Sequence, residues 1–264
     1  MKLPISVFII TKDEEDRLPF AIKSVRDWVD EVIVIDSGST DKTVEIAKDL
    51  GAATVFNEWK GYGPQKVYGE NLCKNNWLLN IDADEEISPK LRDQIIKEFQ
   101  GGAPRYNAYE FIIKVVTRFA SKPGKFAPAH IQTRLYRKDL FGFKDSTVHD
   151  SVVPKNHVQE KLFRFSGIVL HRSFRSYSHA VAKINRYSTM QAEDMFSRGR
   201  KPSSLRVISE PFIGFLKGYF IKRHCFLGIE GFIEGILYAF ARTLRLAKAR
   251  ELWKQHDSNK NEAM

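Results

Sequence analysis

Between residues 5 and 99, short apolar runs alternate with segments whose apolar residues recur at helical spacing. Residues 5–10, 32–35, 54–56 and 77–81 read as strands, and 18–28, 42–50, 64–75 and 90–99 as helices. This alternation predicts a mostly parallel sheet covered on both faces by helices, an α/β fold. Helix starts are marked as well: Ser39-Thr40-Asp41 can cap the helix near Lys42, and Ser88-Pro89 supplies a cap and a first-turn proline.

Gly101-Gly102-Ala103-Pro104 closes this half. Beyond it the pattern predicts irregular strands at 109–116, 133–137 and 158–165, continuing the same domain. From Tyr177 the spacing turns helical through Ala180, Ile184, Tyr187 and Gln191, followed by two long amphipathic stretches at 205–223 and 229–250. The expected division is an α/β domain over 1–175 and a helical region over 176–264. The apolar residues 3–10 run directly into Thr11-Lys12-Asp13-Glu14-Glu15-Asp16, which predicts a buried first strand rather than a signal peptide. No uninterrupted apolar segment reaches the ~18 to 20 residues of a spanning helix, so none is expected.

Composition narrows the partners. With 264 residues and 43% apolar content the chain can bury a core. Forty-two Lys and Arg against 32 Asp and Glu give a net charge of +10. Such a balance points to a polyanion: nucleic acid, an anionic membrane surface or a phosphorylated substrate. Cys73 and Cys225 are the two cysteines, which excludes a disulfide framework or a cysteine zinc site and fits a reducing compartment.

In an open parallel sheet, ligands bind at the carboxyl ends of the strands. There the sequence places Thr11-Lys12-Asp13-Glu14, Asp36-Ser37-Gly38-Ser39-Thr40-Asp41 and Asp82-Ala83-Asp84-Glu85. If the strand stays extended, Asp82 and Asp84 project to one side, and paired hard oxygen ligands suit Mg²⁺ or Mn²⁺ bridging to a diphosphate. Asp36 can accept hydrogen bonds from a base or ribose. An EF-hand is excluded because Ile87 stands where glycine is needed, and neither GxGxxG nor GxxxxGK[ST] occurs.

Four segments, Ile9-Ile10-Thr11-Lys12-Asp13-Glu14, Val34-Ile35-Asp36-Ser37-Gly38-Ser39-Thr40-Asp41-Lys42-Thr43, Trp59-Lys60-Gly61-Tyr62-Gly63-Pro64-Gln65-Lys66 and Leu79-Asn80-Ile81-Asp82-Ala83-Asp84-Glu85, occur in this order. In these the chain resembles glycosyltransferase family 2 enzymes of the GT-A fold, and more closely the bacterial lipopolysaccharide core glucosyltransferases that add glucose to an inner-core heptose. The resemblance implies a UDP-sugar donor, with Thr11, Asp13 and Glu14 near the uridine, Asp36 on the base or ribose, and Lys66 near the diphosphate. It implies Asp82 on the ribose side and Asp84 on a Mg²⁺ or Mn²⁺ ion. Related enzymes carry a His-Glu pair where this chain has His149-Asp150, which makes Asp150 the candidate base for inverting transfer, with Asp145 second. His171 resembles a family histidine that approaches the metal or diphosphate, and Arg172 and Arg175 beside it can neutralise phosphate.

The region 198–254 interleaves Lys and Arg with Phe and Tyr. Such a helix can lie in a membrane interface, and it can equally pack its aromatics on the core. With the resemblance, it implies an enzyme peripheral on the cytoplasmic face of the bacterial inner membrane, acting on lipid A-core or a similar anionic glycolipid. Transfer to another cell-surface polysaccharide or lipid-linked acceptor is the alternative. A nucleotidyltransferase would place a glycine-rich loop after the first strand, where this chain has Thr-Lys-Asp-Glu. A nucleic-acid-binding protein fits poorly, because the acidic rim repels phosphate unless a metal intervenes.

Overall fold

The computed structural model describes residues 2–116, 120–125, 127–144, 151–155, 161–172 and 175–262. Its elements in chain order are β1 (Leu3–Thr11), α1 (Leu18–Val25), β2 (Val29–Asp36), α2 (Thr43–Asp49), β3 (Ala53–Phe56), α3 (Tyr62–Leu72), β4 (Trp77–Asn80), β5 (Glu85–Ile87) and α4 (Pro89–Gln100). There follow β6 (Ala108–Val115), β7 (Ala129–Arg137), β8 (Phe141–Phe143), β9 (Val152–Pro154), β10 (Phe163–His171), α5 (Tyr177–Ser197), α6 (Ser204–Leu216) and α7 (Gly228–Glu262).

Eight strands form one sheet in the order β3-β2-β1-β4-β7-β6-β10-β5, and β8 pairs with β9 apart from it. The first four strands are mutually parallel. β7 then runs antiparallel to both β4 and β6, β10 returns parallel to β6, and β5 lies antiparallel to β10. Both faces are covered. Ile5, Val7 and Ile9 point to the side where α1 brings Leu18, Ala21, Ile22 and Val25 and α4 brings Leu91 and Ile95. Phe8 and Ile10 point to the other, with Ile33, Ile35, Leu78 and Val67 of α3. Burial on both faces is why these strands are apolar nearly throughout.

By its internal contacts the chain divides into Met1–Val115 with Ala129–Arg172, and Val116–Pro128 with Ser173–Met264. The expected single cut after residue 175 did not include the excursion at Val116–Pro128. In the second unit α7 packs against α5 and α6, and a π-helical turn, Lys217–Ile221, and a 3-10 turn, His224–Leu227, join α6 to α7.

Three sequence expectations differ. Of the strand read at 158–165, residues 158–160 lie outside the described residues; the described strand is Phe163–His171, with a register shift against β6 between Arg164 and Ile168 where Gly167 interrupts the apolar pattern. The acidic segment after Asp84 is partly a strand, β5, because it finds β10 as an edge partner. Finally, His224–Lys260 contains an 18-residue window of mean hydropathy 1.3, apolar and long enough to cross a membrane by composition alone. Requiring an uninterrupted run excluded it, because Glu230 and Glu234 fall inside.

Helix α4 lies tight against β10 at Gly167, where a Cβ would meet the Leu91 backbone at 2.5 Å. Gly167→Val should therefore lower the stability of this unit by about 1–3 kcal/mol, the usual cost of overpacking, read from urea unfolding. An unchanged midpoint would show that α4 gives way freely.

Candidate active site

The rim is set by the register of the parallel strands. Thr11 and Asp36 end β1 and β2 as direct neighbours, and Asn80 ends β4 beside Phe8 of β1. Thr11 Oγ1 is buried without a hydrogen-bond partner among the described residues. The Asp36 carboxylate, in contrast, is engaged locally. One oxygen accepts the Gly38 and Ser39 amides at 2.9 Å and the other accepts the Ser39 hydroxyl. Asp36 thereby ties the turn that the sequence assigned to a base or ribose contact. The first loop is pinned onto this turn: the Asp13 carboxylate accepts the Thr40 amide at 2.7 Å, and the Glu14 amide donates to Thr43 Oγ1 at 2.7 Å. The expected side-chain cap of α2 takes another form, since Lys42 is the N-cap and Asp41 accepts the Thr43 amide instead.

After β4 the chain turns at Ala83 and Asp84, with the Glu85 amide donating to the Asp82 carbonyl. The extended geometry therefore ends at Asp82, and the two carboxylates go to different partners. Lys66, fully buried on α3, places Nζ 2.9 Å from Asp82 Oδ1. Arg134 of β7 reaches Asp82 Oδ2 at 2.9 Å, Glu85 Oε1 at 2.7 Å and Asn80 Oδ1 at 2.6 Å. Burial opposes ionisation of Asp82, but the Arg134 and Lys66 charges outweigh it and hold the carboxyl far below the ordinary range. For Glu85, at the inner end of the cluster, burial wins and the carboxyl is pushed up despite Arg134.

Asp84 Oδ2 lies 3.2 Å from His171 Nε2 and 3.4 Å from an Arg17 Nη1. Arg17 is itself held by the Glu14 carboxylate and by the Arg172 carbonyl at 2.8 Å. Burial opposes the charged form of both members of the Asp84–His171 pair. The pairing prevails, lowering the Asp84 pKa and raising that of His171. His171 Nδ1 is buried without a hydrogen-bond partner among the described residues.

The structure thus brings Thr11, Lys66, Asp82, Asp84 and His171 to one end of the sheet and uses Asp13, Glu14 and Asp36 to hold its loops. Asp145 and Asp150 lie outside the described residues. Arg17, Arg134 and Glu85 were missed as participants. Arg134 carried one signal, a cation within a run otherwise read as a strand, and Arg17 carried none beyond standing just before a helix. For a divalent ion, the fit rests on Asp84 and His171, whose ligating atoms already converge. Among the described residues no group of three His, Cys, Asp or Glu side chains could hold a metal. An ion here would draw its remaining ligands from a diphosphate and water, as Mg²⁺ commonly does.

A sheet whose first four strands are parallel, with a carboxylate pair and two buried cations at its carboxyl rim, is the α/β arrangement of this chain. Residues 6–162 match the family described as glycosyl transferase family 2, and the chain belongs to that family, with a GT-A type fold. It is 46% identical over 254 residues, 94% of this chain and 86% of the relative, to an uncharacterised glycosyltransferase of Rickettsia bellii. It is also 30% identical over 268 residues, 95% of this chain and 94% of the relative, to the lipopolysaccharide core biosynthesis glycosyltransferase LpsC of Rhizobium meliloti. Among solved structures, glucosyl-3-phosphoglycerate synthase of Mycobacterium tuberculosis with Mn²⁺ and UDP-glucose matches at 24% identity and a TM-score of 0.34. That match covers 43% of each chain, too partial a superposition to transfer any residue's role.

Two outcomes test the geometry. Arg134→Met leaves Asp82 and Glu85 short of a buried cation and should cost about 3–5 kcal/mol in denaturant unfolding. His171 contributes stability that is full below its ordinary 6.5 and is lost as pH rises through its raised folded value. Asp84 contributes in the opposite sense, its share being lost as pH falls from 3.8 through the lowered value. NMR titration of the metal-free protein should accordingly place His171 above 6.5. Asp84→Asn should bring it down, and an unmoved titration would dissociate the pair.

Proposed function

We propose that this transferase moves a hexose, glucose from UDP-glucose, onto a heptose of the lipopolysaccharide inner core with inversion at the anomeric carbon. The observation that carries the reading is the convergence of Asp84 and His171 at the carboxyl rim, 3.2 Å apart, beside an Asp82 neutralised by Lys66 and Arg134. The likeness to LpsC, named for lipopolysaccharide core biosynthesis, supports the acceptor class. The likeness of the four rim segments to UDP-sugar enzymes supports the donor.

In this reading Thr11 lies against the uridine, and Asp13, Glu14 and Asp36 shape the pocket through the loops they tie. Lys66 and Arg134 hold Asp82 on the ribose side and keep positive charge behind the diphosphate. Asp84 and His171 would hold a Mg²⁺ or Mn²⁺ ion, whose chemistry is to neutralise charge on the departing diphosphate. Asp150 takes the proton of the acceptor hydroxyl as that oxygen bonds to the anomeric carbon. The bond from that carbon to the diphosphate oxygen breaks, and UDP leaves with the electron pair. The enzyme works on the cytoplasmic face of the inner membrane, where its net charge of +10 favours an anionic surface and an anionic glycolipid.

Transfer and UDP-sugar hydrolysis should require added divalent metal. Asp84→Ala should lose about a hundredfold or more in kcat, in line with removing one strong electrostatic contact to a developing charge. Asp150→Asn should abolish transfer while leaving UDP binding intact by calorimetry. Equal turnover by wild type and Asp84→Ala without metal would overturn the metal assignment, and full transfer by Asp150→Asn would reject that residue as the base.

A further inference from the structure

Two helices of the second unit carry the same apolar spacing. Leu205, Ile208, Phe212 and Leu216 on α6, and Ile229, Phe232, Ile236 and Phe240 on α7, each advance by three, four and four residues. At about 100° per residue this gathers each set within roughly 80° of its helix surface. All eight side chains are exposed, Leu205 by 77%, Phe212 by 72% and Ile229 by 69%. A groove of about 560 Å³ between the two helices is lined by Phe212, Phe215, Leu216, Ile236, Phe240 and Thr243 among others.

The helices meet at glycines that give room to a neighbouring residue. A Cβ at Gly214 would stand 3.1 Å from the Ala239 Cα, one at Gly218 2.9 Å from Tyr238, and one at Gly235 3.2 Å from Phe215. Gly214 on α6 lets the Ala239 backbone of α7 approach, Gly218 in the following π-helical turn receives the Tyr238 side chain, and Gly235 on α7 receives the Phe215 side chain, while the rows of Leu205 and Ile229 stay exposed. Close backbone packing through small residues is how helices associate among acyl chains. In water, outward rows of this size are unfavourable.

Charge fixes the orientation. Neither row contains an ionisable residue. Glu210 is buried against Arg242, and Glu230 is bound by the Tyr177 hydroxyl. Arg206, Lys217, Lys222 and Arg223 are exposed near the ends of the rows. A perpendicular α7 would carry Glu230 and Glu234 into hydrocarbon, which is costly. A helix pair lying flat buries its rows and leaves the cations at the headgroups.

We infer that α6 and α7 form a hairpin embedded flat in one leaflet of an anionic membrane, its two apolar rows seated among acyl chains that also enter the groove. The inference rests on the membrane-surface part of the function proposed above and adds the face, the depth and the apolar nature of the attachment. The partner is the lipid leaflet itself.

The test mixes the full-length protein with vesicles of phosphatidylglycerol and phosphatidylethanolamine and sediments them in low salt and in about 1 M sodium chloride, where screening reduces the Debye length to ~3 Å. Wild type should sediment with vesicles in both. The double variant Phe212→Asp/Phe240→Asp should keep its unfolding midpoint and lose about a hundredfold or more in partitioning. Independently of that variant's folding, Phe232→Trp fluorescence should be quenched by brominated acyl chains. Binding that salt removes and the double variant retains overturns the embedding but leaves surface association standing, as does an unquenched Phe232→Trp on bound protein. Absence of wild-type binding to any vesicle overturns both. If the double variant instead dissociates a dimer while vesicle binding is unchanged, the face belongs to a second copy and the inference fails.

Discussion

Two cations removed from water, Lys66 and Arg134, converge on one carboxylate, and the order of the sheet is what brings them there. Stripping solvent from each ion costs several kcal/mol, and single contacts do not repay it. Asp82 contacts both cations at once, and Asn80 and Glu85 also accept from the Arg134 guanidinium. The arrangement requires α3 to deliver Lys66 from one side and β7 to run antiparallel beside β4 to deliver Arg134 from another. The turn at Ala83-Asp84 is then held from below by a cluster that cannot shift without exposing an unpaired charge.

This arrangement divides the labour between the two aspartates. Asp82 is saturated by protein cations and acts as a fixed anchor. Asp84 answers to groups that differ in kind: Arg17, anchored by Glu14, and His171, at the end of β10. An imidazole can exchange a proton for a metal ion, whereas a guanidinium cannot. In the function proposed above, Asp84 is the carboxylate whose neighbour can change state, within a rim otherwise tied by Asp13, Asp36 and Asp41.

The strands β1 to β4 and their helices were legible in the sequence because each is short, apolar and bounded by polar turns. Covering both faces of a parallel sheet leaves little ambiguity in such a pattern. The carboxyl rim followed from strand order, which placed Thr11, Asp36 and Asp82 together. The roles at that rim were less legible. Asp36 reads as a ligand group and also ties its own turn, accepting the amides two and three residues on. Lys66 reads as a diphosphate contact only through the resemblance, and nothing in α3 announces that Asp82 stands opposite. Arg134 and His171 reach the site through pairings spanning much of the chain, β7 against β4 and β10 against β5, and no local pattern encodes such pairings. The end of β10 was misplaced for a related reason: Gly167 looks like a break and is where α4 needs room.

The excursion at Val116–Pro128 has a consequence for inheritance. The chain leaves the first unit after Val115 and returns at Ala129 to lay down β7, the strand that joins the parallel half of the sheet to the rest. Each unit is therefore made from two separate stretches of chain. Neither can be lifted out by one cut or exchanged as a cassette, so a recombination event at any single point strands part of one unit in the wrong descendant.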